Sequence, residues 1–432
     1  MKNWLKYILL LIFLFTFCYV LLLQWLISEA TLLTAAAAIS VSAFFIIRNY
    51  IAAWPFHKFF LIASFLLLIT IPMVGPKETT SLENRKLAPF PNFRFSNVWK
   101  FLFEYEDYFN DSFSFRNTAV KAISKFRFRL FRISPMPVIV QVGKNDWLYT
   151  SRPDYIKDTS TPFNAAQLDS VILNLKIITK YFDIRNIKYY FAVIPVKERI
   201  YPEYMPQDLL FRMEFSKAAQ LNAELLKHPE IRSVDVKDVL IEGKKTRPTY
   251  YSGDTHWNVF GAFLGYRKII DRVRQDFPQI KPFEIDNYTI DSVMVDAGDL
   301  QLLMGFTDEL FFRRYRMKPI NQDVPVVIDS TTFDITSSRF SIRVMPKPVN
   351  GLRLFLIRDS FSEYMRIFIT PNFDRTVLGW TPTVPVAKVM QEKPDLVIHQ
   401  ILEHYVMHTL KLPPEISGDT LFLNQHFPGY MK

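Results

Sequence analysis

Glycine is scarce in this chain, 12 of 432 residues, under half of the ~7% of an average protein. Neither G-x-G-x-x-G nor G-x-x-x-x-G-K-[ST] occurs. The backbone cradles that hold dinucleotide and nucleoside triphosphate phosphates are therefore missing. Cysteine is nearly absent. The single Cys18 excludes an intramolecular disulfide framework and any cysteine-rich zinc site. Of the 7 histidines, His404 and His408 stand at the four-residue spacing by which metal ligands share a helix face. No glutamate follows His404, so the H-E-x-x-H pattern fails. Neither a metal nor a cofactor is expected.

What the chain has in excess is apolar and basic. Hydrophobic residues make up 49%, with 40 Phe, and the formal charge is +10. Such a field draws nucleic acid, anionic lipid or acidic polysaccharide alike. Leu5 to Ile27 is an almost unbroken apolar run, longer than the ~20 residues that cross a bilayer. Weaker Ala30 to Ile47 and Leu/Ile/Phe-rich Phe59 to Gly75 follow. Three transmembrane helices are expected, about 5–27, 30–47 and 59–75. Lys2 and Lys6 flank the first run, Arg48 and Lys58 lie between the second and third, and the loop around Ser28 and Glu29 carries no Lys or Arg. Positive loops stay in the cytoplasm, which places everything after Pro76 outside it. A cleavable signal peptide would have a much shorter apolar run. The expected organisation is a membrane anchor over 1–75 and an extracytoplasmic domain over 76–432.

That second part reads as one large α/β domain. Phe163 to Phe182 carries Leu168, Ile172, Leu175 and Phe182 at helical spacing, and the β-rich run Tyr189 to Val196 follows. Val259 to Phe277 repeats a buried helix stripe through Phe260, Phe263, Ile270 and Val273. Leu352 to Ile357 and Leu396 to Ile398 are short apolar strands. Helices alternating with buried strands imply βαβ units and a mostly parallel sheet. The alternation Lys125-Phe126-Arg127-Phe128-Arg129 could face nucleic acid or lipid headgroups, or be a half-buried element with a solvated basic side. An extracytoplasmic location argues against nucleic acid.

Two segments could carry chemistry. In Gly253-Asp254-Thr255-His256-Trp257-Asn258, an extended backbone would put Asp254 and His256 on one side. The carboxylate could then fix the imidazole tautomer and leave the other ring nitrogen free as a base. A histidine near a helix start and an aspartate satisfying local backbone would read the same way. In Arg358-Asp359-Ser360-Phe361-Ser362, a serine follows a strand and opens a helix, beside backbone N–H groups that could stabilise an oxyanion. It also lies at the carboxyl end of a parallel strand, where open α/β sheets place their sites. A plain Asp-Ser helix cap is the alternative there.

Asp254-Thr255-His256-Trp257, followed 104 positions after His256 by Asp359-Ser360-Phe361, resembles the SGNH-hydrolase-like domain of the alginate O-acetyltransferase family of AlgJ and AlgX and the related DHHW proteins. Other segments are similar to that family's pattern. They are Glu83-Asn84-Arg85 with Pro89 and Pro91, Tyr108-Phe109-Asn110-Asp111 with Phe115-Arg116, Gly143-Lys144 with Trp147-Leu148-Tyr149, and Pro195 with Lys197 and Tyr201-Pro202. The resemblance covers roughly residues 81 to 405. It implies a three-layer SGNH-like domain with Ser360 as nucleophile, His256 as general base and Asp254 as orienting acid. Glu403 falls where the family has an acidic residue near its end. Arg358 departs from the pattern, which has glycine before Asp-Ser. Only 72 residues follow Ser360, so an AlgJ-like architecture without the carbohydrate-binding module of AlgX is expected.

The implied activity is O-acetylation of a cell-surface or secreted polysaccharide, outside the bacterial inner (cytoplasmic) membrane and facing the periplasm or cell exterior. Its implied acetyl-donor partner is a membrane-bound O-acyltransferase. Two alternatives use other chemistry or none: an esterase or deacetylase with the same three residues and water as acceptor, or a non-catalytic scaffold of a polysaccharide export complex.

Overall fold

The computed structural model describes residues 61–62, 64–65 and 86–430, without 94, 114–115, 296–297, 305–311, 321–325, 333–338, 382 and 407–409. The three expected membrane spans fall outside the described residues, apart from those four positions between 61 and 65. His408 falls outside them too. Among the described residues no helix is long and apolar enough to cross a membrane. The chain divides into two compact units, Met1–Phe126 and Arg127–Lys432.

Among the described residues of the first unit, helix α1 (Val98–Ser112) is opened by Asn97, whose side chain accepts the Lys100 N–H at 3.1 Å. Near its end, Asp111 accepts the Ala88 N–H at 2.9 Å and so ties the preceding Pro-rich strand of chain to the helix. The basic-aromatic run lies in α2 (Arg116–Phe131), a helix in which Phe128 is buried and Phe126 exposed.

The second unit is built on a seven-stranded sheet. In chain order a small antiparallel pair comes first, β1 (Val140–Val142) with β2 (Leu148–Thr150). The sheet strands are β3 (Lys188–Ile194), β4 (Arg232–Asp235), β7 (Val326–Thr332), β8 (Arg339–Val344), β9 (Arg353–Arg358), β10 (Arg375–Trp380) and β11 (Leu396–Leu402). A separate hairpin pairs β5 (Tyr288–Val295) with β6 (Phe312–Pro319).

Five strands, β4, β3, β11, β9 and β10, run parallel. The near-continuous apolar runs of β3, β9 and β11 reflect burial on both faces. In β3, Tyr190, Ala192 and Ile194 pack into one core cluster while Tyr189, Phe191 and Val193 pack into the other. Helices α3 (Ala165–Asp183), α4 (Lys197–Ile200), α5 (Val259–Val273), α6 (Asp299–Leu303), α7 (Ser362–Ile369) and α8 (Val386–Glu392) follow in chain order. Those of α5 and α7 cover the first face, and α3 and α8 the second. The result is the α/β sandwich expected from the sequence, a sheet between two helical layers.

The departure is at one edge. β8 pairs antiparallel with β10, and β7 antiparallel with β8, so the sheet is mixed. The reason is visible in Arg339-Phe340-Ser341-Ile342-Arg343, where Phe340 and Ile342 are buried and their neighbours are not. That alternation suits a half-solvated antiparallel edge rather than a buried parallel strand. Element ends shift by a few residues as well. Asn164 starts α3 through a capping box with Gln167, and β11 continues to Leu402 beyond the expected end at Ile398.

Candidate active site

Ser360 sits in the turn between β9 and α7, at the carboxyl end of the parallel strands. The turn is held by the residue before it. Asp359 accepts the Phe361 N–H at 2.9 Å and the Gln400 side-chain amide at 2.8 Å with one oxygen, and the Leu402 N–H at 2.7 Å with the other. These bonds fasten the Ser360 turn to the end of β11. Gln400 is fully buried, and its carbonyl accepts the Ser362 hydroxyl. Trp257, also fully buried, donates its indole N–H to the Phe361 carbonyl at 2.8 Å, linking the turn to the Asp-x-His segment.

That segment is a turn, not the extended stretch expected. Asp254 Oδ1 accepts the backbone N–H of His256 at 2.9 Å, the local bond that makes aspartate a turn former. It also brings the same oxygen to 2.7 Å from His256 Nδ1. With Nδ1–H donating to Asp254, Nε2 holds the lone pair, and it accepts from Ser360 Oγ at 2.8 Å. The three residues singled out in the sequence therefore form one relay: Ser360 to His256 to Asp254. The turn is tied down on both sides. An isolated bridge pairs Tyr250 with Trp257, and Asn258 caps α5 by accepting the Phe260 and Gly261 amides at 2.9 Å.

Buried Lys197, at the start of α4, donates to the carbonyls of Asp254 at 2.7 Å and of Tyr251 and Ser252 at 3.3 Å. Burial pushes its ammonium down to about 8, although the charges of Glu198, Asp299 and Asp254 oppose that shift. Burial alone would raise the Asp254 carboxyl, yet the hydrogen bond and charge of His256 bring it down to about 2. For His256 the balance runs the other way. Burial favours the neutral ring, but the Asp254 bond and the charges of Asp254, Asp299 and Asp359 outweigh it and raise the imidazole above its ordinary value.

One expectation about the turn changes. The helix-start N–H groups are not all open for an oxyanion, because Phe361 N–H is taken by Asp359 and Glu363 N–H bonds the Ser360 carbonyl at 3.1 Å. The Ser360 N–H donates to no protein acceptor among the described residues. Asp254, His256 and Asp299 bring oxygen and nitrogen atoms within 4.8 Å of one another. Both imidazole nitrogens are committed to Asp254 and Ser360, so the group reads as a hydrogen-bonded relay rather than a cation site. Glu403 is fully buried and accepts from Ser216 Oγ at 2.8 Å and Arg199 Nε at 3.3 Å, a structural role away from the relay.

Arg358 stands where the family pattern has glycine, and the local backbone does not need one. It closes β9 in register with Trp380, outside the set of left-handed residues. Its guanidinium lies 2.6 Å from Glu363 and 5.2 Å from the centre of the Trp380 ring. Arg358→Gly is expected to lower the melting temperature by removing these contacts and adding backbone freedom worth roughly 0.5–1 kcal/mol in the unfolded chain. Thermal unfolding checks this; an unchanged melting temperature contradicts it.

Residues 140–331 match the family model described as SGNH hydrolase-like domain, acetyltransferase AlgX. Over that stretch the chain is similar to the AlgX family. The match includes Asp254 and His256 and ends before Ser360. Over 173 residues the chain is 23% identical to the probable alginate O-acetylase AlgJ of Pseudomonas syringae pv. tomato, covering 40% of this chain and 42% of that protein. Over 211 residues it is 22% identical to the probable alginate O-acetylase AlgJ of Pseudomonas aeruginosa, covering 48% of each. The chain thus spans less than half the length of these curated relatives. Among solved structures, PatB1 of Bacillus cereus aligns with a TM-score of 0.48 and 14% identity, over 63% of this chain and 99% of that one.

Lys197, Asp299 and Gln400 carry much of the site's support, and motif reading did not assign them. Lys197 appeared only as part of a similar block. Asp299 had a usable signal in Gly298, a glycine in a chain with few of them.

Proposed function

We propose that this chain is an O-acetyltransferase that acylates a cell-surface or secreted polysaccharide through an acetyl-Ser360 intermediate. The observation that carries the reading is the 2.8 Å and 2.7 Å relay from Ser360 through His256 to Asp254, set at the carboxyl end of the parallel strands. His256 Nε2 takes the Ser360 proton as Oγ attacks the acetyl carbonyl. The bond from the acetyl carbon to the donor oxygen breaks, and the imidazolium returns the proton to that leaving group. In the second half His256 deprotonates a sugar hydroxyl, which attacks the acetyl-serine and restores the Ser360 hydroxyl. Asp254 keeps the ring in the tautomer that both halves need.

The family likeness supports polysaccharide as the acceptor class. The apolar runs of 1–75 support a multi-pass anchor in the inner membrane, with 76–432 facing the periplasm or cell exterior. A membrane-bound O-acyltransferase would hand over the acetyl group there.

Water in place of the sugar would make the same relay an esterase, since the difference lies in what reaches the acyl-enzyme. Purified full-length protein given an acetyl ester, with and without oligosaccharide, separates the two. The expected result is acetylated sugar at the expense of free acetate. Acetate release indifferent to sugar overturns the transferase reading.

A further inference from the structure

A second carboxylate, outside the relay itself, grips the Asp-x-His turn. Two glycines permit its approach. A Cβ at Gly298 would stand 2.1 Å from the Gly253 carbonyl oxygen, and one at Gly253 would stand 2.9 Å from the Phe312 ring. With both Cβ atoms absent, the start of α6 lies directly on the turn. Fully buried Gln301 fixes it there by accepting the Gly298 N–H at 2.7 Å.

The residue so placed is Asp299. One of its oxygens accepts the Thr255 N–H at 2.7 Å, and the other accepts the Thr255 hydroxyl. Its own N–H donates to Asp254 Oδ2 at 3.2 Å, occupying the oxygen that His256 leaves free. Its Oδ2 also lies 3.7 Å from His256 Nδ1. A charge at that distance acts on the ring even where solvent screens it in part.

We propose that Asp299 is a positioning residue of the acyl-transfer site: it clamps Thr255 and Asp254, and its carboxylate favours the His256 imidazolium that forms when Ser360 gives up its proton. This rests on the reading of Ser360 as nucleophile and His256 as base.

The groups around the ring leave this role to Asp299. Asp254 faces Nδ1 from the same turn, and Asp359 acts from the Ser360 turn. The Tyr364 ring, from α7, lies 6.3 Å from the imidazole, and Lys197, from α4, is held on the Asp254 carbonyl. Arg314, from β6, acts on Tyr251 and Tyr364. Among the described residues, Asp254 and Asp299 supply the two carboxylates within ion-pair distance of Nδ1.

The test uses full-length protein and phenylmethanesulfonyl fluoride, with Ser360 labelling followed by mass spectrometry from pH 5 to 9. In that reaction the Ser360 Oγ–S bond forms, the S–F bond breaks, fluoride leaves and His256 takes the proton. Asp299→Asn should move the acid limb of the labelling rate to lower pH by roughly half a unit or more, the effect expected of losing one nearby charge. It should also slow labelling at the plateau by roughly tenfold, through a weaker base and a looser turn. Thr255→Val leaves the Asp299 carboxyl in place but removes the hydroxyl that bonds it and lies 3.4 Å from His256 Nδ1, so it should slow the plateau and move the limb less than Asp299→Asn does. A limb that coincides with wild type in Asp299→Asn, or one that moves equally in Thr255→Val, overturns the proposal. No Ser360 labelling in the wild type is a different result, and it overturns the nucleophile reading on which the proposal rests.

Discussion

Ser360→Ala is expected to lower acetyl transfer by about ten-thousand-fold or more, the loss seen when the nucleophile of such a relay is removed. The protein itself should hardly notice. Ser360 Oγ makes one side-chain hydrogen bond, to His256 Nε2. Losing it costs on the order of 1 kcal/mol, a few degrees in melting temperature at most. The turn survives because Asp359, Gln400 and Trp257 hold it through groups other than the serine hydroxyl. Activity and stability therefore part company in this variant. The measurement is polymer acetylation in cells carrying Ser360→Ala, alongside thermal unfolding of the purified protein. Acetylation that persists at the wild-type level, in a protein of normal melting temperature, would leave the scaffold reading standing and sink the catalytic one.

How far such a site can be read from sequence depends on what kind of contact makes it. Buried parallel strands announce themselves because both faces are apolar, as in Leu354 to Ile357, and the carboxyl end of β9 pointed to Ser360. Asp254 and His256 were legible because their bond spans only two residues. Even there the route differed, since a backbone bond from His256 to Asp254 bends the segment that alternation alone would have kept extended.

The supporting residues were hidden for a physical reason. Gln400 meets Asp359 across 41 positions, Lys197 meets the Asp254 carbonyl across 57, and Asp299 meets Thr255 across 44. No local pattern encodes a contact at that separation. The antiparallel edge was missed on different grounds. The polar-apolar alternation of Arg339 to Arg343 is a strand signal, but its pairing partner is fixed only once β10 is in place. Arg358 shows the converse hazard. The resembling pattern has glycine there, while the structure holds an extended residue that closes β9 and pairs with Glu363.

Asp254→Asn is expected to reduce acetyl transfer by about ten-thousand-fold. Asp254 Oδ1 serves both the His256 backbone N–H and Nδ1, so an asparagine that turns its amide N–H₂ to Nδ1, leaving its oxygen for the Asp299 N–H, gives up the backbone bond and makes Nδ1 an acceptor. The ring proton then sits on Nε2, facing Ser360, and the base is lost. The same change acts on pH dependence with a definite sign. In the wild type the Asp254 bond and charge outweigh burial and raise His256, so the neutral base is present only above the raised value. Without Asp254 the acid limb of the residual rate should move to lower pH. Stability should respond in the opposite pH region. Asp254 is held down at about 2, so its contribution is present above the ordinary carboxyl value near 4 and fades as pH falls towards 2. Asp254→Asn should therefore destabilise the protein at pH 7 and make little difference near pH 2. Chemical unfolding at the two pH values, set beside the rate profile, reads both effects. An equal loss of stability at both would show that Asp254 holds the turn by shape alone.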